Sequence, residues 1–516
     1  MTKKRMAKKK MSENRSKKGV LLKALSAVLL LVGFLVFFAA KWYITTYGDL
    51  GFESILFTLF SGLNGVQSGL IGDYLIYGFV PAVGLWAVCC FVVFFTAKSK
   101  IVVTLFNKLK VRLYPFHPKA KSVVALLLTL ILTVTGLNSV RFFEYIIRQF
   151  DSTKIFEQEY VDPLSVNIQF PNEKRNLIYI FVESLETTYF SKVHGGASNE
   201  ELMPELYELA KNNVNFSTTE EVGGYSAVSG TTWTAGAMVA HTAGLPLKVP
   251  VGMADNTYGK DRFLPGANTL MNILKNNGYY QALMVGSDAS FANRAVYYNT
   301  HGIDKIYDYF TAQNDGIIPK DYYAWWGMED KYLYEYAKQE LSEISAGDTP
   351  FAFTMLTVDT HHIGGYMCEY CQNQYPEQYQ NVISCASRQL NAFVKWLSEQ
   401  DFYKNTTVVI CGDHPTMDEG YISRNVGADY DRTVYNCILN SKVQTANTRN
   451  RRFSPMDMLP TTLAAMGCTV EGDRLGLGTN LFSNQKTLAE KMGSQEFSDE
   501  LEKSSDYYTE KFINGN

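Results

Sequence analysis

The sequence predicts an α/β fold in which N-terminal transmembrane helices precede a domain with a mostly parallel sheet covered by helices. Long uncharged apolar runs are confined to roughly the first 140 of the 516 residues. Beyond residue 176, short β-branched-rich runs alternate with stretches of helical length, which is typical of βαβ units. Two of these short runs each end on a carboxylate, Glu183 and Asp413. Such runs predict buried parallel strands with a site at their carboxyl ends.

Hydropathy and charge divide the chain into five segments. These are a basic N-terminus (1–20), a membrane domain (21–140), a linker (141–175), a catalytic domain (176–486) and a polar C-terminal tail (487–516). Within the membrane domain, runs at about 21–41, 74–97 and 122–140 are long enough to cross a bilayer as helices. The apolar segment 52–63 is shorter and predicts an interfacial or re-entrant piece. A signal peptide would explain only the first run, and no A-x-A-like cleavage site follows it.

Lysine and arginine predict the orientation of these spans. Nine basic residues between Lys3 and Lys18 precede the first span, and seven more separate the second from the third. No lysine or arginine lies between residues 42 and 73. The positive-inside rule therefore places the N-terminus in the cytoplasm and the catalytic domain outside the cell membrane. The net charge of -3 gives no indication of a nucleic-acid partner.

Within the catalytic domain, strands are predicted at 177–182, 280–285, 351–358, 406–411 and 433–439. Helices are predicted at 203–212, 267–277, 330–344 and 387–400, with another starting near Trp233 and Thr234. Cys368, Cys371 and Cys385 fall in one region, where we expect a disulfide from Cys385 to either Cys368 or Cys371. The Cys368-x-x-Cys371 spacing is also compatible with zinc, a reading that the absence of a second such pair disfavours.

Glu183, Asp413 and His414 follow two predicted strands that are far apart in sequence. Parallel strands deliver their carboxyl ends to one edge, so these three side chains are expected to meet there. Two carboxylates and an imidazole suit a divalent metal ion. The alternative is that each pair merely caps its strand.

A Gly/Ser/Thr-rich loop, residues 223–232, precedes the helix predicted near Thr234. A helix N-terminus carries unpaired N–H groups and a positive dipole end, which suits a phosphate. A threonine hydroxyl at this position is a candidate nucleophile once a metal lowers its pKa. Thr234 would otherwise be a simple N-cap, and Thr231 and Thr232 are alternative nucleophiles.

These residues resemble the sulfatase/alkaline-phosphatase superfamily. The resemblance is strongest to its membrane-anchored branch of lipoteichoic acid synthases and of phosphoglycerol transferases acting on osmoregulated periplasmic glucans. It rests on Glu183-Ser-Leu-Glu-Thr-Thr-Tyr-Phe190, the segment 230–247, Thr357-Val-Asp-Thr-His-His362 and Gly412-Asp413-His414. It covers most of the outer domain, and it implies a sulfatase-like extracytoplasmic fold.

The resemblance also implies residue roles. Glu183, Thr234, Asp413 and His414 would bind one Mn²⁺ or Mg²⁺ ion, with Thr234 as the nucleophile. Arg294, His361 and His362 would contact the substrate, and His361 would assist proton transfer. Glu186, one turn beyond Glu183, is expected to be structural. The family's aromatic residue two places before the arginine is replaced here by Ala292, so the resemblance does not define the headgroup pocket.

The nucleophile region departs from true sulfatases. Those enzymes carry a C/S-x-P-x-R motif that is converted to formylglycine, whereas the chain has Thr234-Ala-Gly-Ala. This favours a threonine that accepts a phosphoryl group. The implied reaction transfers glycerol phosphate from phosphatidylglycerol to an envelope glycan or polymer. Phosphoethanolamine transferases, metal-dependent phosphodiesterases and a non-enzymatic glycan-binding homologue are the rival functions.

Overall fold

The computed structural model describes residues 2–48, 50–61, 68–94, 101–105, 109–113, 120–250 and 261–516. The chain forms two compact units. The first comprises Met1–Thr45 and Gln67–Glu144, and the second comprises Thr46–Val66 and Tyr145–Asn516. The second unit therefore includes a short segment that precedes most of the first unit in sequence.

The α-helices are α1 (Thr2–Tyr47), α2 (Phe52–Ser61), α3 (Ser68–Asp73), α4 (Val80–Phe94), α5 (Lys121–Ser139), α6 (Phe142–Arg148), α7 (Ile155–Glu159), α8 (Pro204–Asn212), α9 (Thr234–Ala243), α10 (Leu270–Asn276), α11 (Arg294–Thr300), α12 (Tyr309–Asn314), α13 (Asp330–Ile344), α14 (Gln378–Ser398), α15 (Glu419–Asn425), α16 (Met458–Ala465), α17 (Leu488–Met492), α18 (Ser494–Glu502) and α19 (Asp506–Tyr508). The strands are β1 (Ile101–Leu105), β2 (Leu109–Leu113), β3 (Ile168–Gln169), β4 (Asn176–Val182), β5 (Gly224–Tyr225), β6 (Tyr280–Val285), β7 (Lys305–Tyr307), β8 (Phe351–Leu356), β9 (Thr406–Gly412), β10 (Val434–Leu439), β11 (Thr469–Val470), β12 (Arg474–Leu475) and β13 (Gly478–Thr479).

The first unit contains helices with the length and composition of membrane spans. Among the described residues, Lys17–Tyr47, Gly69–Phe94 and Lys121–Ser139 are long and apolar enough to cross a bilayer. A π-helical turn, Tyr74–Phe79, joins α3 to α4 within the second of these stretches. The three predicted apolar helices are thus present, although residues 95–97 of the second lie outside the described residues.

The second unit is organised by a seven-stranded sheet with the order β5-β10-β9-β4-β8-β6-β7. The pairs β9·β4, β4·β8, β8·β6 and β6·β7 are parallel. Strands β10 and β5 complete one edge in antiparallel pairings. The predicted mostly parallel sheet is confirmed.

Helices cover both faces of this sheet, and nearly every residue of its central strands is buried. In β4, Leu177, Tyr179 and Phe181 face one core, which also contains residues of α9, α10 and α16. The alternating residues Ile178, Ile180 and Val182 face a second core containing residues of α8, α13 and α14. This alternation of side chains across a strand explains why β4 reads as a continuous apolar run.

The segment 487–516, expected to be a polar tail with a frayed or helical end, is helical and packed. Helices α17, α18 and α19 lie within it. Phe497 and Leu501 lie four residues apart on one helix and are each 1% exposed, and Phe512 is fully buried. Apolar residues at helical spacing therefore anchor this polar-looking segment in the main core.

Helix α2, which the hydropathy analysis placed in the membrane domain, packs within the second unit. Phe57 on α2 is 2% exposed, and its ring lies 6.2 Å from the Trp233 ring and 6.1 Å from the Phe263 ring. The Glu53 carboxylate accepts a hydrogen bond from the Val249 backbone N–H at 2.7 Å. The apolar face that made this short segment look interfacial covers part of the second unit.

Candidate active site

The strand register brings Glu183 and Asp413 together. Strands β4 and β9 are parallel neighbours in which Val182 pairs with Gly412. The residues that follow these two strands, Glu183 and Asp413, therefore lie at the same edge of the sheet. His414 follows directly. One ligand atom from each of these three buried side chains lies within 4.8 Å of the other two. The predicted convergence of two distant sequence segments is therefore present in the structure.

Backbone N–H groups fix the Asp413 carboxylate. Its Oδ1 accepts hydrogen bonds from the Ser184 and His414 backbone N–H groups, both at 2.8 Å. Ser184 adopts a positive φ of 54°, which turns the chain sharply after Glu183. The other oxygen, Oδ2, is buried without a hydrogen-bond partner among the described residues. A buried carboxylate oxygen left in this way is suited to a cation.

The tautomer of His414 is set by its neighbour. Nδ1 lies 2.9 Å from the Pro415 carbonyl, so the ring proton sits on Nδ1 and donates to that oxygen. The Nε2 lone pair then faces Asp413 Oδ2 at 3.3 Å and Glu183 Oε1 at 3.5 Å. A histidine that ligates a metal usually has its other ring nitrogen fixed by a hydrogen bond of this kind.

Electrostatics support the same interpretation. Burial raises the pKa of Asp413 to about 7, and the Glu183 charge contributes to the rise. Burial alone would lower the pKa of His414, but the Asp413 and Glu183 carboxylates outweigh burial and raise it. Two carboxylates this close in a buried site repel one another, and a divalent cation would relieve the repulsion. The residues present therefore fit a divalent metal ion.

Thr234 is the threonine that lies against this cluster. Its Oγ1 is 3.2 Å from His414 Nε2 and 3.4 Å from Glu183 Oε2. It is the first residue of α9, whose N-cap position is Trp233, and no side chain caps the helix. The cap interpretation therefore does not account for Thr234, whose hydroxyl faces the metal-ligand candidates beside the α9 N-terminus.

The neighbouring threonines are placed differently. Thr231 is fully buried, and its hydroxyl donates to the Val228 carbonyl at 2.8 Å while accepting from the Val228 N–H at 2.9 Å. Thr232 makes no hydrogen bond to the cluster within the described residues. Gly236 permits this loop to approach α9, because a Cβ there would lie 2.5 Å from the Gly230 carbonyl oxygen. Thr234 remains our predicted nucleophile.

Arg294 begins α11 and lies near the start of α9. It lines one small cavity together with Ala235 and Ala292. Its Nη2 donates to the Ser287 hydroxyl at 2.8 Å and to the Asp288 carbonyl at 2.7 Å. Burial lowers the pKa of Arg294 to about 10, against the opposing effect of Glu183, so the guanidinium is charged at neutral pH.

The loop after β8 carries His361 and His362 and is tied to the Glu183 backbone. The Thr357 hydroxyl accepts from the Glu183 N–H at 3.0 Å, and the Thr360 hydroxyl donates to the Glu183 carbonyl. These two threonines belong to a motif noted in the sequence, but only the fold reveals their positioning role. Their bonds fix the loop beside the metal-ligand candidates.

The two histidine rings of this loop stack with centroids 4.3 Å apart. His361 Nδ1 lies 2.8 Å from the His362 carbonyl, which places its proton on Nδ1 and leaves Nε2 as an acceptor. Burial lowers the pKa of His361 to about 4 and that of His362 well below its usual value. The His362 Nδ1 atom is buried without a hydrogen-bond partner among the described residues. Both rings are therefore neutral at neutral pH.

Glu186 does not join the cluster. It is fully buried and accepts hydrogen bonds from Arg432, whose Nε lies 2.9 Å from Oε2. It also accepts from the Thr416 backbone N–H at 2.7 Å. This ion pair holds the segment that follows His414, which agrees with the structural role expected for Glu186.

The three grouped cysteines are adjacent but unbridged. Cys368, Cys371 and Cys385 are all free thiols in the structure. The Cys368 sulfur lies 3.6 Å from that of Cys371 and 3.8 Å from that of Cys385. Neither of the two disulfide pairings considered from sequence is formed.

His241 is a buried residue behind the site that the sequence analysis missed. Its two ring nitrogens lie 2.7 Å from the Tyr179 hydroxyl and 2.9 Å from the Tyr225 hydroxyl. Tyr225 in turn donates to the carbonyl of Gly412, the residue before Asp413. The partners come from β4 and β5, so no local sequence signal marks the network.

We expect His241 to make the protein less stable in acid. Burial lowers its pKa from 6.5 to about 3 in the folded state. The unfolded chain binds the proton first, so this stability is present above about pH 6.5 and is lost as the pH falls toward about 3, by roughly 3–5 kcal/mol. Urea unfolding of the detergent-solubilised chain between pH 7 and pH 4 measures the loss. His241→Gln should flatten the profile, whereas Tyr225→Phe should lower stability without changing the slope. An unchanged slope in His241→Gln would contradict the assignment.

The chain is similar to several known proteins. The family model described as Sulfatase matches residues 175–468, which is more than half of the chain. Phosphoglycerol transferase I of Xanthomonas campestris pv. campestris is 34% identical over 256 residues, covering 48% of this chain and 35% of that protein. Phosphoglycerol transferase I of Escherichia fergusonii is 29% identical over 476 residues, covering 89% and 57%. The chain thus spans about a third to somewhat over half of the length of these curated relatives.

Among solved structures, the lipoteichoic acid synthase LtaP of Listeria monocytogenes is similar with a TM-score of 0.49 and 19% sequence identity. The match covers 64% of this chain and 80% of that chain.

Proposed function

Because this chain belongs to the sulfatase family, we propose that it is a membrane-anchored, metal-dependent phosphoglycerol transferase. The donor would be phosphatidylglycerol, and the acceptor would be a hydroxyl of a cell-envelope glycan or polymer. The observation that carries this proposal is the Thr234 hydroxyl, 3.2 Å from His414 Nε2 and 3.4 Å from Glu183 Oε2 at the start of α9. A threonine in this position fits phosphoryl transfer. The surrounding sequence lacks the formylglycine motif that sulfate hydrolysis uses.

Four residues would hold the metal ion, either Mn²⁺ or Mg²⁺. Glu183, Asp413 and His414 supply two carboxylates and an imidazole, and Thr234 supplies the hydroxyl. When bound, the ion would lower the pKa of the Thr234 hydroxyl and neutralise charge on the phosphoryl oxygens. Hard oxygen ligands beside one imidazole are compatible with either ion.

The first half-reaction moves the phosphoglyceryl group onto the chain. Thr234 Oγ forms a bond to phosphorus, the bond from phosphorus to the diacylglycerol oxygen breaks, and diacylglycerol leaves with the proton. The Arg294 guanidinium and the N–H groups at the start of α9 would bind the phosphoryl oxygens, where negative charge develops. The product is a glycerophosphothreonine intermediate.

The second half-reaction releases the group to the acceptor. An acceptor hydroxyl forms a bond to phosphorus while the bond to Thr234 Oγ breaks. His361 is neutral, with its proton on Nδ1, so its Nε2 is an available proton acceptor for that hydroxyl. The loop bonds to the Glu183 backbone hold His361 in this position.

The membrane helices give a physical reason for the choice of donor. The three apolar helices would anchor the chain, and the positive-inside rule predicts that the catalytic unit lies on the outer face. A phospholipid donor is confined to the same membrane, so anchoring raises its effective concentration at the site. Nucleoside triphosphates are not a comparable donor outside the cell.

The test uses the whole chain, because α2 packs within the catalytic unit. The detergent-solubilised protein is incubated with Mn²⁺ and either phosphatidylglycerol or phosphatidylethanolamine, and intact mass and diacylglycerol release are measured. A glycerophosphate-sized adduct and diacylglycerol release with phosphatidylglycerol alone are the expected results. An adduct formed only from phosphatidylethanolamine would overturn the headgroup assignment. Rapid release of free glycerol phosphate without an acceptor would identify a phosphodiesterase instead.

A further inference from the structure

The three free thiols at Cys368, Cys371 and Cys385 lie outside the catalytic cluster. Cys368 and Cys371 follow the loop that bears His361 and His362, whereas Cys385 projects from α14. The three cysteine sulfurs all lie within 4.8 Å of one another. Cys368 and Cys385 are 5% and 1% exposed, and Cys371 is partly exposed, so the group has one accessible side.

The local backbone brings the Cys368 and Cys371 sulfurs together. The Cys371 N–H donates to the Cys368 carbonyl at 3.1 Å, closing a tight turn over the Cys-x-x-Cys segment. The turn places the Cys371 sulfur 3.6 Å from the Cys368 sulfur. A Cys-x-x-Cys segment held in this way presents both of its sulfurs to one metal ion.

Polar groups from α14 lie beside the three sulfurs. Gln389 Nε2 lies 3.5 Å from the Cys385 sulfur and 3.7 Å from the Cys368 sulfur. The Arg388 guanidinium also lies near Cys385. Its Nη2 atom is buried without a hydrogen-bond partner in the described part of the chain. An amide and a guanidinium beside clustered sulfurs are the outer partners that a thiolate site needs.

The sulfur separations match a metal site better than a bridge. A zinc–sulfur bond is about 2.3 Å, so two sulfurs on one tetrahedral zinc ion lie about 3.8 Å apart. The separations from Cys368 are 3.6 Å and 3.8 Å. A disulfide would join only two sulfurs, at about 2.05 Å, and would exclude the third. Here Cys368 is nearly equidistant from both partners.

We propose that Cys368, Cys371 and Cys385 form a zinc site of three thiolates, with water at the exposed fourth position. Binding forms three zinc–sulfur bonds and releases the thiol protons that remain. The ion would tie the His361–His362 loop to α14 and so hold the loop in place. This site is distinct from the Glu183–Asp413–His414 cluster and does not depend on the transfer reaction.

Cobalt substitution separates this site from the catalytic cluster. The whole chain is purified with a thiol reductant, stripped of metal and titrated with Co²⁺, whose sulfur-to-cobalt charge-transfer absorption reports thiolate ligation. We expect the band in the native chain and in Asp413→Asn, with zinc displacing the cobalt. Cys368→Ser and Cys371→Ser should each abolish the band and lower zinc affinity at least about 100-fold, beyond the usual loss for an outer partner. Cys468→Ser, a buried cysteine elsewhere in the core, is the matched control.

A second measurement needs no variant. Zinc should protect Cys368, Cys371 and Cys385 from alkylation in the native chain, and a chelator should expose them together. The proposal is overturned if the cobalt band persists in Cys368→Ser. It is also overturned if the native chain, purified without reductant, binds no zinc and carries a disulfide between two of these cysteines.

Discussion

Replacing Thr234 by alanine is expected to abolish the covalent adduct and to lower transfer from phosphatidylglycerol by about 10³-fold or more. The reason is that Thr234, the first residue of α9, has its hydroxyl beside both His414 and Glu183. Alanine is well tolerated in a helix, and the Thr234 side chain does not cap α9, so folding should be retained. Intact mass after incubation with donor lipid and Mn²⁺ measures the adduct, and diacylglycerol release measures turnover.

Two matched variants make this result specific. Thr232→Ala alters a neighbouring hydroxyl outside the cluster and should leave the adduct intact. Thr234→Ser keeps a hydroxyl at the same position and should retain part of the activity together with an adduct on residue 234. Peptide mapping locates the modification. An adduct that persists at full yield in Thr234→Ala would show that another residue is the nucleophile.

The sheet could be predicted from sequence because its strands are buried on both faces. Strand β6 was predicted with the bounds observed, and the predictions for β4 and β9 differ from the observed strands by one residue. The meeting of Glu183 with Asp413 followed from the same rule, since neighbouring parallel strands end at one edge. Buried strands and their carboxyl ends are local signals that a single sequence carries.

Features created by contacts between distant segments could not be predicted in this way. The polar composition of residues 487–516 concealed Phe497 and Phe512, whose burial depends on a core that other segments build. The short apolar helix α2 resembles an interfacial segment until Trp233 and Phe263 are seen beside Phe57. In both cases the deciding partners are remote in sequence.

The same limit applies to finer parts of the site. Ser184 directs its N–H at Asp413 only because its φ is positive, and no residue preference for this conformation is evident in a Glu-Ser pair. The roles of Thr357 and Thr360 depend on their bonds to the Glu183 backbone. Motif resemblance located these residues, while only the fold assigns each one a contact.

The Asp413→Asn substitution should separate the loss of metal binding from any effect on folding. Asp413 Oδ1 already accepts two backbone N–H bonds, which an asparagine carbonyl can also accept. The Asp413 Oδ2 atom is buried, unpartnered and 3.3 Å from His414 Nε2, where an amide NH₂ group can donate to the ring. The substitution also removes one of two repelling buried carboxylates. We therefore expect Asp413→Asn without metal to be at least as stable as the metal-free native chain.

The metal-dependent part of the stability should disappear in the same variant. A ligand that binds only the folded state at 100 times its Kd stabilises by about 2.7 kcal/mol, so Mn²⁺ should raise the Tm of the native chain. In Asp413→Asn that rise should vanish, and transfer should fall by at least about 100-fold. Thermal unfolding in Mn²⁺ and in EDTA measures both states. Asp457→Asn, a buried aspartate whose two oxygens accept bonds from Ser454 and Thr479, should instead lose stability and keep its Mn²⁺ response. A full Mn²⁺ response in Asp413→Asn would exclude Asp413 as a ligand, because metal binding would then not require its carboxylate.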